Sequence, residues 1–374
     1  GKQIIIACAQ TIDRLDNRAF NIGHHAHFGE PDALHIEPTG ELGDILVLRP
    51  AGEDFIPDHD KRGGPYFRIG HGLCHSPASA NEKSSLCDWR LRRNPAKSRR
   101  MTTYTMMTDA KAPVRDGTIK IYGEDGFVGM RAAGRLAAAA LDHIIPHVVP
   151  GATTADIDKM VEDFVLGHGA VPATVGYRGY AHSSCISVNH VVCHGIPSDK
   201  PLKDGDIANI DITVIVDGWH GDTSRMFLVG DVPLKARRLV DVTYECLMMG
   251  IEQARPGNHV GDIGHAIQMH AEKQRYGIVR DFCGHGLGRL FHDSPEIVHA
   301  GRPGTGPELR PGMFFTIEPM INLGKDGVKV LEDGWTAVTR DRSPSAPFEH
   351  SIGITESGCE IFTKSPAGLD CPPY

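Results

Sequence analysis

NIDITVIVDGWHGDTSRMF, residues 209–227, contains two strand-like segments separated by the Asp-Gly pair at 217–218. Such a pair between two strands is typical of a two-residue β-hairpin turn. In the resulting register Thr213 lies opposite Asp222, with Asp211 as the diagonal neighbour on the same face. A turn shifted back by one residue places Asp211 directly opposite Asp222. Either register brings two carboxylates within roughly 5–8 Å of each other. Because like charges at that separation repel unless a proton or cation lies between them, the hairpin predicts a cation-binding face.

The composition is that of an ordinary soluble globular protein, with 374 residues, 40% hydrophobic and 23% charged. The net charge of −8 gives no electrostatic reason to expect nucleic-acid binding. No window approaches the roughly 18 apolar residues that a membrane span requires. The nine cysteines are odd in number and lack framework spacing, which favours a reduced state. We therefore predict a cytoplasmic protein that binds neither nucleic acid nor membrane.

The chain divides near residue 100. Residues 1–100 show little sustained periodicity and end in a basic run, WRLRRNPAKSRR. The next segment, MTTYTMMTDAKAP, resembles a natural protein start at Met101. We predict that residues 1–100 form a poorly structured N-terminal extension, of the kind produced by translation of upstream sequence, and that residues 101–374 form the catalytic domain. A regulatory or ribosome-docking extension is the alternative.

From residue 124 onward the hydrophobic pattern becomes regular. Four stretches with helical periodicity begin near residues 124, 153, 232 and 259. The first ends near Pro146, and the second begins with Thr N-cap candidates. Strand-like segments follow each pair of helices: CISVNHVVCHG and the hairpin after the first pair, then MFFTIEPMINLG, WTAVTR, EHSIGITESG and CEIFT after the second. This repeated order predicts a pseudo-symmetric α+β domain.

Three further polar residues lie in apolar or glycine-rich surroundings. His285 stands between two glycines, Glu318 lies in an apolar strand-like run, and Glu349 begins a strand. Together with Asp211 and Asp222, they make too many charges to bury without a cation. Oxygen-rich sites with one imidazole suit Mn, Fe, Co or Zn. Five ligands exceed what one tetrahedral ion uses, so the pattern favours a dinuclear site.

Five segments carry a resemblance to a known family. They are VVCHGIP, NIDITVIVDGWHGDTSRMF, GHGLGRLFH, PGMFFTIEPM and DGWTAVTRDRSPSAPFEH. In this order and with these gaps they resemble the signature segments of the type I methionine aminopeptidases, over roughly residues 110–365. The resemblance implies the creatinase/aminopeptidase "pita-bread" fold, in which a curved antiparallel sheet with pseudo-two-fold symmetry is covered by helices.

The resemblance also implies a role for each site residue. Asp211 would bind one metal, His285 and Glu318 the other, and Asp222 and Glu349 would bridge the two. His194, His292 and Glu318 would be catalytic, with Glu318 as the proton shuttle. The substrate-binding residues would be His194, His292, Tyr177, Tyr180, Cys185, Phe291 and Trp335.

The implied activity is removal of the N-terminal methionine from nascent proteins and peptides, with two divalent ions per chain and a small second residue. The ions would be Co, Mn, Fe or Zn, and a monomer would act on nascent chains near the ribosome. An Xaa-Pro aminopeptidase or dipeptidase on the same fold is the nearest alternative, although it needs a folded N-terminal domain. A non-catalytic binding protein of this fold is a further alternative, but all five ligands and both histidines are present.

Overall fold

The computed structural model of the protein describes residues 102–108 and 114–374. The predicted extension over residues 1–100 lies outside them and stays a prediction. No helix in the described part combines the length and the apolar character needed to cross a bilayer.

The central hairpin has the predicted turn. Strand β6 covers Ile207–Val216 and strand β7 covers Trp219–Leu228. Asp217 and Gly218 between them have φ of 48° and 81°. Positive φ at both central residues gives the turn the twist that continues into the flanking strands. Thr213 is therefore the partner of Asp222, which confirms the first register and makes the shifted register wrong.

Four α-helices occur where the periodicity predicts them. They are α1 Glu124–Ile144, α2 Thr154–Gly167, α3 Leu234–Gln253 and α4 Val260–Lys273. A 3₁₀ turn over Ile145–His147 contains Pro146 and ends α1, since proline cannot supply a helical N–H. Thr153 caps α2 by accepting a hydrogen bond from the Asp156 backbone N–H at 3.0 Å.

Within the described residues, the strands form two larger antiparallel sheets, of five and four strands, and three smaller sheets. Besides β6 and β7, the strands are β1 Tyr104–Met106, β2 Ile119–Ile121, β3 Val171–Pro172, β4 Cys185–Val188, β5 Val191–Cys193, β8 Gly277–Ile278, β9 Gly284–Gly286, β10 Asp293–Ile297, β11 Phe314–Ile317, β12 Met320–Asn322, β13 Val328–Val330, β14 Ala337–Thr339, β15 Ser345–Pro347, β16 His350–Ile354 and β17 Cys359–Ile361. The first sheet joins β3, β4 and β7 to β6, and the second has the order β10-β9-β11-β16-β17. Two helices followed by a sheet thus occur twice, which confirms the predicted α+β repeat.

Two predicted strands each divide between two sheets, CISVNHVVCHG into β4 and β5, and MFFTIEPMINLG into β11 and β12. The segment CISVNHVVCHG forms β4, which pairs with β6, and β5, which pairs with β14 in another sheet. Asn189, just after β4, has a φ of 56° and lets the chain leave the first sheet. Asparagine tolerates this left-handed conformation better than most residues. The sequence could not predict the change of sheet, because it depends on the pairing of β5 with the distant strand β14.

Each half of the domain has its own apolar core. Residues of α1 and α2 pack on the outer face of the β6–β7 hairpin, and residues of α3 and α4 pack on β11 and β16. Helix α1 approaches β7 so closely that a Cβ at Gly221 would lie 2.3 Å from the Ala133 backbone. This contact fixes the hairpin against the helix and leaves its other face free to form a site.

Candidate metal centre

The five predicted ligands come together from both halves of the domain. Asp211 lies on β6, Asp222 on β7 and His285 on β9. Glu318 follows the last residue of β11, and Glu349 precedes the first residue of β16. All five line one cavity. The site therefore forms only when the two halves are packed together.

The hairpin half of the site is fixed by cross-strand contacts. The Thr213 hydroxyl donates a hydrogen bond to Asp222 Oδ1 at 2.7 Å. Asp211 pairs with Ser224 across the hairpin, and Ser224 forms a single antiparallel bridge to Glu349. The Glu349 backbone N–H donates to the Ser224 carbonyl at 3.1 Å. This bridge carries Glu349 to the carboxylates of the hairpin.

The other half of the site is organised by Thr316. Its hydroxyl donates to Glu318 Oε1 at 2.8 Å and accepts the His285 backbone N–H at 3.0 Å. His285 Nε2 then lies 3.4 Å from Asp222 Oδ2 and 3.7 Å from Glu318 Oε1. Asp222, His285 and Glu349 each offer a ligand atom, and these three atoms lie within 4.8 Å of one another.

The carboxylates of the site repel one another in a buried setting. Burial raises the pKa of Asp211, and the charges of Asp222 and Glu318 add to that rise. Burial and the same neighbours also hold the pKa of Glu349 well above its usual range. Burial raises the pKa of Glu318 to about 7, although the charge of His285 opposes the change. Each shift disfavours the ionised carboxylate. The protein therefore does not supply enough positive charge to balance these carboxylates.

The residues present fit a divalent metal. Asp211 Oδ1 is buried and has no hydrogen-bond partner among the described residues. A buried carboxylate oxygen without a partner is costly unless a cation contacts it. Four carboxylates and one imidazole match the donors that borderline divalent cations prefer. The charge imbalance and the orphaned oxygen together indicate a cation site.

The predicted substrate-binding residues line the same cavity, which has a volume of about 590 Å³. They are His194, His292, Tyr177, Tyr180, Cys185, Phe291 and Trp335. The rings of Tyr180 and Trp335 meet edge to face at 4.9 Å, and Tyr177 packs on Phe291 at 4.8 Å. Cys185 pairs directly with Asp211, so the pocket wall adjoins the ligands. Burial raises the pKa of the Cys185 thiol, which keeps it an inert wall residue.

Two histidines that are not predicted ligands face this cavity. Burial lowers the pKa of His194 to about 4. Burial and the nearby rings of His285 and His194 lower the pKa of His292 well below its usual range. His292 Nδ1 also shares a hydrogen bond with the Tyr177 hydroxyl at 3.0 Å. Both imidazoles are therefore neutral at physiological pH and can each donate one hydrogen bond and accept another.

Sequence reasoning missed several residues of the site. Phe282 stacks edge to face on His194 at 5.5 Å, and Met320 also lines the cavity. Thr316 organises His285 and Glu318, and His299 contacts the Glu318 backbone. Phe282 and Thr316 lie within three residues of a predicted ligand, a proximity that could have identified them. His299 has no such signal, because its contact depends on the fold.

Comparison with known proteins shows the family of the chain. The sequence profile of metallopeptidase family M24 matches residues 128–356. The chain belongs to metallopeptidase family M24. It is therefore a metal-dependent hydrolase of peptide bonds by family.

Two relatives with high sequence identity are methionine aminopeptidases. A methionine aminopeptidase of Rickettsia prowazekii is 58% identical over 258 residues, which cover 69% of this chain and 100% of the relative. Methionine aminopeptidase A of a Synechocystis strain is 53% identical over 247 residues, covering 66% of this chain and 98% of the relative.

Solved M24 structures confirm the pita-bread fold. The crystal structure of the Rickettsia prowazekii enzyme has a TM-score of 0.65 and 57% identity, and covers 66% of this chain and 100% of its own. A prolidase from Pyrococcus furiosus has a TM-score of 0.54 at 22% identity, covering 65% of each chain, and shows the fold alone. The matches thus cover about two thirds of the chain and nearly all of the methionine aminopeptidases.

Proposed function

We propose that this chain removes the N-terminal methionine from nascent proteins and peptides and favours a small second residue. The observation that carries the proposal is one cavity in which a buried carboxylate–imidazole cluster adjoins a wall of aromatic rings and a thiol. An unbranched thioether side chain suits such a wall, since sulfur makes favourable contacts with aromatic rings. The relatives named methionine aminopeptidase, at 53–58% identity, support the same substrate.

The five clustered residues would hold two divalent ions, with Co, Mn, Fe and Zn as the candidates. Asp211 would bind one ion and His285 with Glu318 the other, while Asp222 and Glu349 would bridge them. When bound, such ions supply Lewis acidity and lower the pKa of water. Their positive charge would also offset the mutual repulsion that raises the pKa of the buried carboxylates.

Glu318 is the proposed proton shuttle. Its carboxylate lies in the cavity beside the other proposed ligands, where it would take a proton from the attacking water and return it to the leaving nitrogen. Thr316 holds Oε1 by a hydrogen bond of 2.8 Å.

The two neutral histidines would orient the substrate. In the tautomer in which His292 Nδ1 accepts from the Tyr177 hydroxyl, the ring proton lies on Nε2 and would be donated to the carbonyl of the scissile bond. His194 would bond the substrate backbone or the leaving nitrogen. Because both rings are neutral, they can donate without adding charge to an already charged site.

We further propose that the enzyme acts as a cytoplasmic monomer on nascent chains near the ribosome. The net charge of −8 gives no reason to expect nucleic-acid binding, and the odd number of cysteines favours a reduced compartment such as the cytoplasm.

The test compares the metal-loaded protein on Met-Ala-Ser, on an Xaa-Pro peptide and on N-acetylated Met-Ala-Ser, with and without a chelator. We expect release of methionine from the first peptide only, with loss of activity on chelation and recovery on readdition of metal. Release of the residue before proline, or full activity after thorough metal removal, would refute the proposal.

The hairpin offers a matched pair of variants for this test. Asp222→Asn removes a bridging carboxylate and should abolish methionine release. Asp217→Asn makes the same chemical change in the turn, where asparagine tolerates the φ of 48°, and should leave the activity unchanged.

A further inference from the structure

His299 is a buried histidine that the proposed reaction does not use. It lies two residues after the end of β10 and is 2% exposed. Its Nε2 accepts a hydrogen bond from the backbone N–H of Glu318 at 3.1 Å. A side chain distant in sequence therefore contacts the main chain of the proposed proton shuttle.

The Glu318 N–H needs such a partner because of where it lies. Strand β11 ends at Ile317, whose partner is His350, and β12 begins at Met320 in a different sheet. Glu318 and Pro319 cross between the two sheets, outside both ladders. A backbone N–H in such a partly buried crossing costs free energy unless it is paired. His299 supplies the acceptor that a strand would otherwise supply.

The contact also fixes the tautomer of His299. A doubly protonated imidazole has no nitrogen able to accept, so a ring that accepts through Nε2 is neutral and carries its proton on Nδ1. Nδ1 is buried and has no hydrogen-bond partner among residues 102–108 and 114–374. The ring thus leaves its own donor unpaired while it pairs Glu318.

Glu318 is consequently held at two points. His299 holds the backbone N–H, and the Thr316 hydroxyl holds carboxylate Oε1 at 2.8 Å. The first contact fixes where the Cα lies at the sheet crossing, and the second fixes the orientation of the carboxylate. A side chain that must exchange a proton and help bind a metal loses efficiency when displaced by a fraction of an ångström.

We propose that His299 is a positioning residue that fixes Glu318 through its Nδ1–H tautomer. The catalytic consequence rests on the proposed function, whereas the contact and the tautomer do not. Partners of this kind typically change metal affinity or activity by about 10–100-fold when removed. The effect should fall on kcat, because His299 does not line the substrate cavity.

Three substitutions separate positioning from simple loss of a histidine. His299→Gln places a carbonyl oxygen near the position of Nε2, whereas His299→Asn places it near Nδ1, too short to reach Glu318. We expect His299→Ala and His299→Asn to lower kcat by about 10–100-fold with KM changed less than about threefold. His299→Gln should recover most of the lost kcat. His270→Gln, in a histidine–glutamate pair between α3 and α4, is the control and should match the wild type.

A measurement independent of activity keeps the proposal testable if a variant fails to fold. In ¹⁵N-histidine-labelled wild type, the ring signal that His299→Gln removes should show protonated Nδ1 and unprotonated Nε2. Protonated Nε2 would overturn the proposal, as would wild-type kcat in folded His299→Ala or equal recovery by Asn and Gln. Failure of the proposed function would look different, because the wild type itself would then release no methionine.

Discussion

Glu318→Gln should stabilise the metal-free protein at high pH and destabilise the metal-loaded protein. In the metal-free protein, burial raises the pKa of Glu318 from 4.5 to about 7, so the folded state binds the proton more tightly than the unfolded chain does. The contribution of this group to the free energy of unfolding is therefore full below pH 4.5 and is lost as the pH rises through 7. At 1.36 kcal/mol per pKa unit, the loss is about 3 kcal/mol.

Glutamine has the shape of the protonated acid and can still accept from Thr316, but it cannot ionise. At pH 4.5 the metal-free variant should match the wild type. At pH 8 it should be the more stable protein by about 3 kcal/mol. With saturating Mn²⁺ or Co²⁺ the order should invert, because the variant lacks a ligand that binds the folded state.

Urea unfolding of both proteins, with and without chelator, at pH 4.5 and pH 8 measures these differences. Comparing the variant with the wild type at each pH is necessary because other groups titrate. Burial lowers the pKa of His299 and of His350 to about 3, so these rings make stability rise with pH toward 6.5, opposite to Glu318. Their contributions cancel in the difference. A metal-free difference that does not change with pH would refute the electrostatic account of the site.

Other perturbations test separate parts of the molecule. Asp211→Asn should lower the metal content by about one ion per chain in titration calorimetry, because Oδ1 has no hydrogen-bond partner in the described part of the chain; an unchanged stoichiometry would contradict the assignment. Trp335→Ala should raise KM for Met-Ala-Ser by about tenfold, more than it lowers kcat, because the ring packs on Tyr180 at the pocket wall. Gly218→Ala should lower stability in urea by about 1 kcal/mol without changing kcat, since its φ is 81°. A chain beginning at Met101 should keep the kcat/KM of the full chain if residues 1–100 are dispensable.

Much of the fold follows from local sequence patterns. The hairpin register depends on the Asp-Gly turn and on strand alternation, both of which lie within residues 207–228. The four helices follow from their periodicity and from signals such as Thr153 and Pro146. The short strands β8, β9, β10, β13 and β15 could not be predicted, because segments of two to five residues are too short to show a clear strand periodicity.

The candidate site divides in the same way. Asp211, Asp222, His285, Glu318 and Glu349 stand out in sequence because each places charge where its surroundings are apolar or glycine-rich. Only the tertiary structure shows that Ser224 bridges to Glu349 and that Thr316 links His285 to Glu318.

The sequence by itself therefore singled out the five charged residues that the structure brings into one cavity, since charge in apolar surroundings is a local and costly signal. The packing of the two halves of the domain decided which contacts hold those residues in place. The clearest case is His299, whose hydrogen bond to Glu318 exists because two sheets meet where the chain leaves one ladder for the next. A sequence pattern does not encode that crossing, because the partner of a backbone N–H is chosen by distance in space.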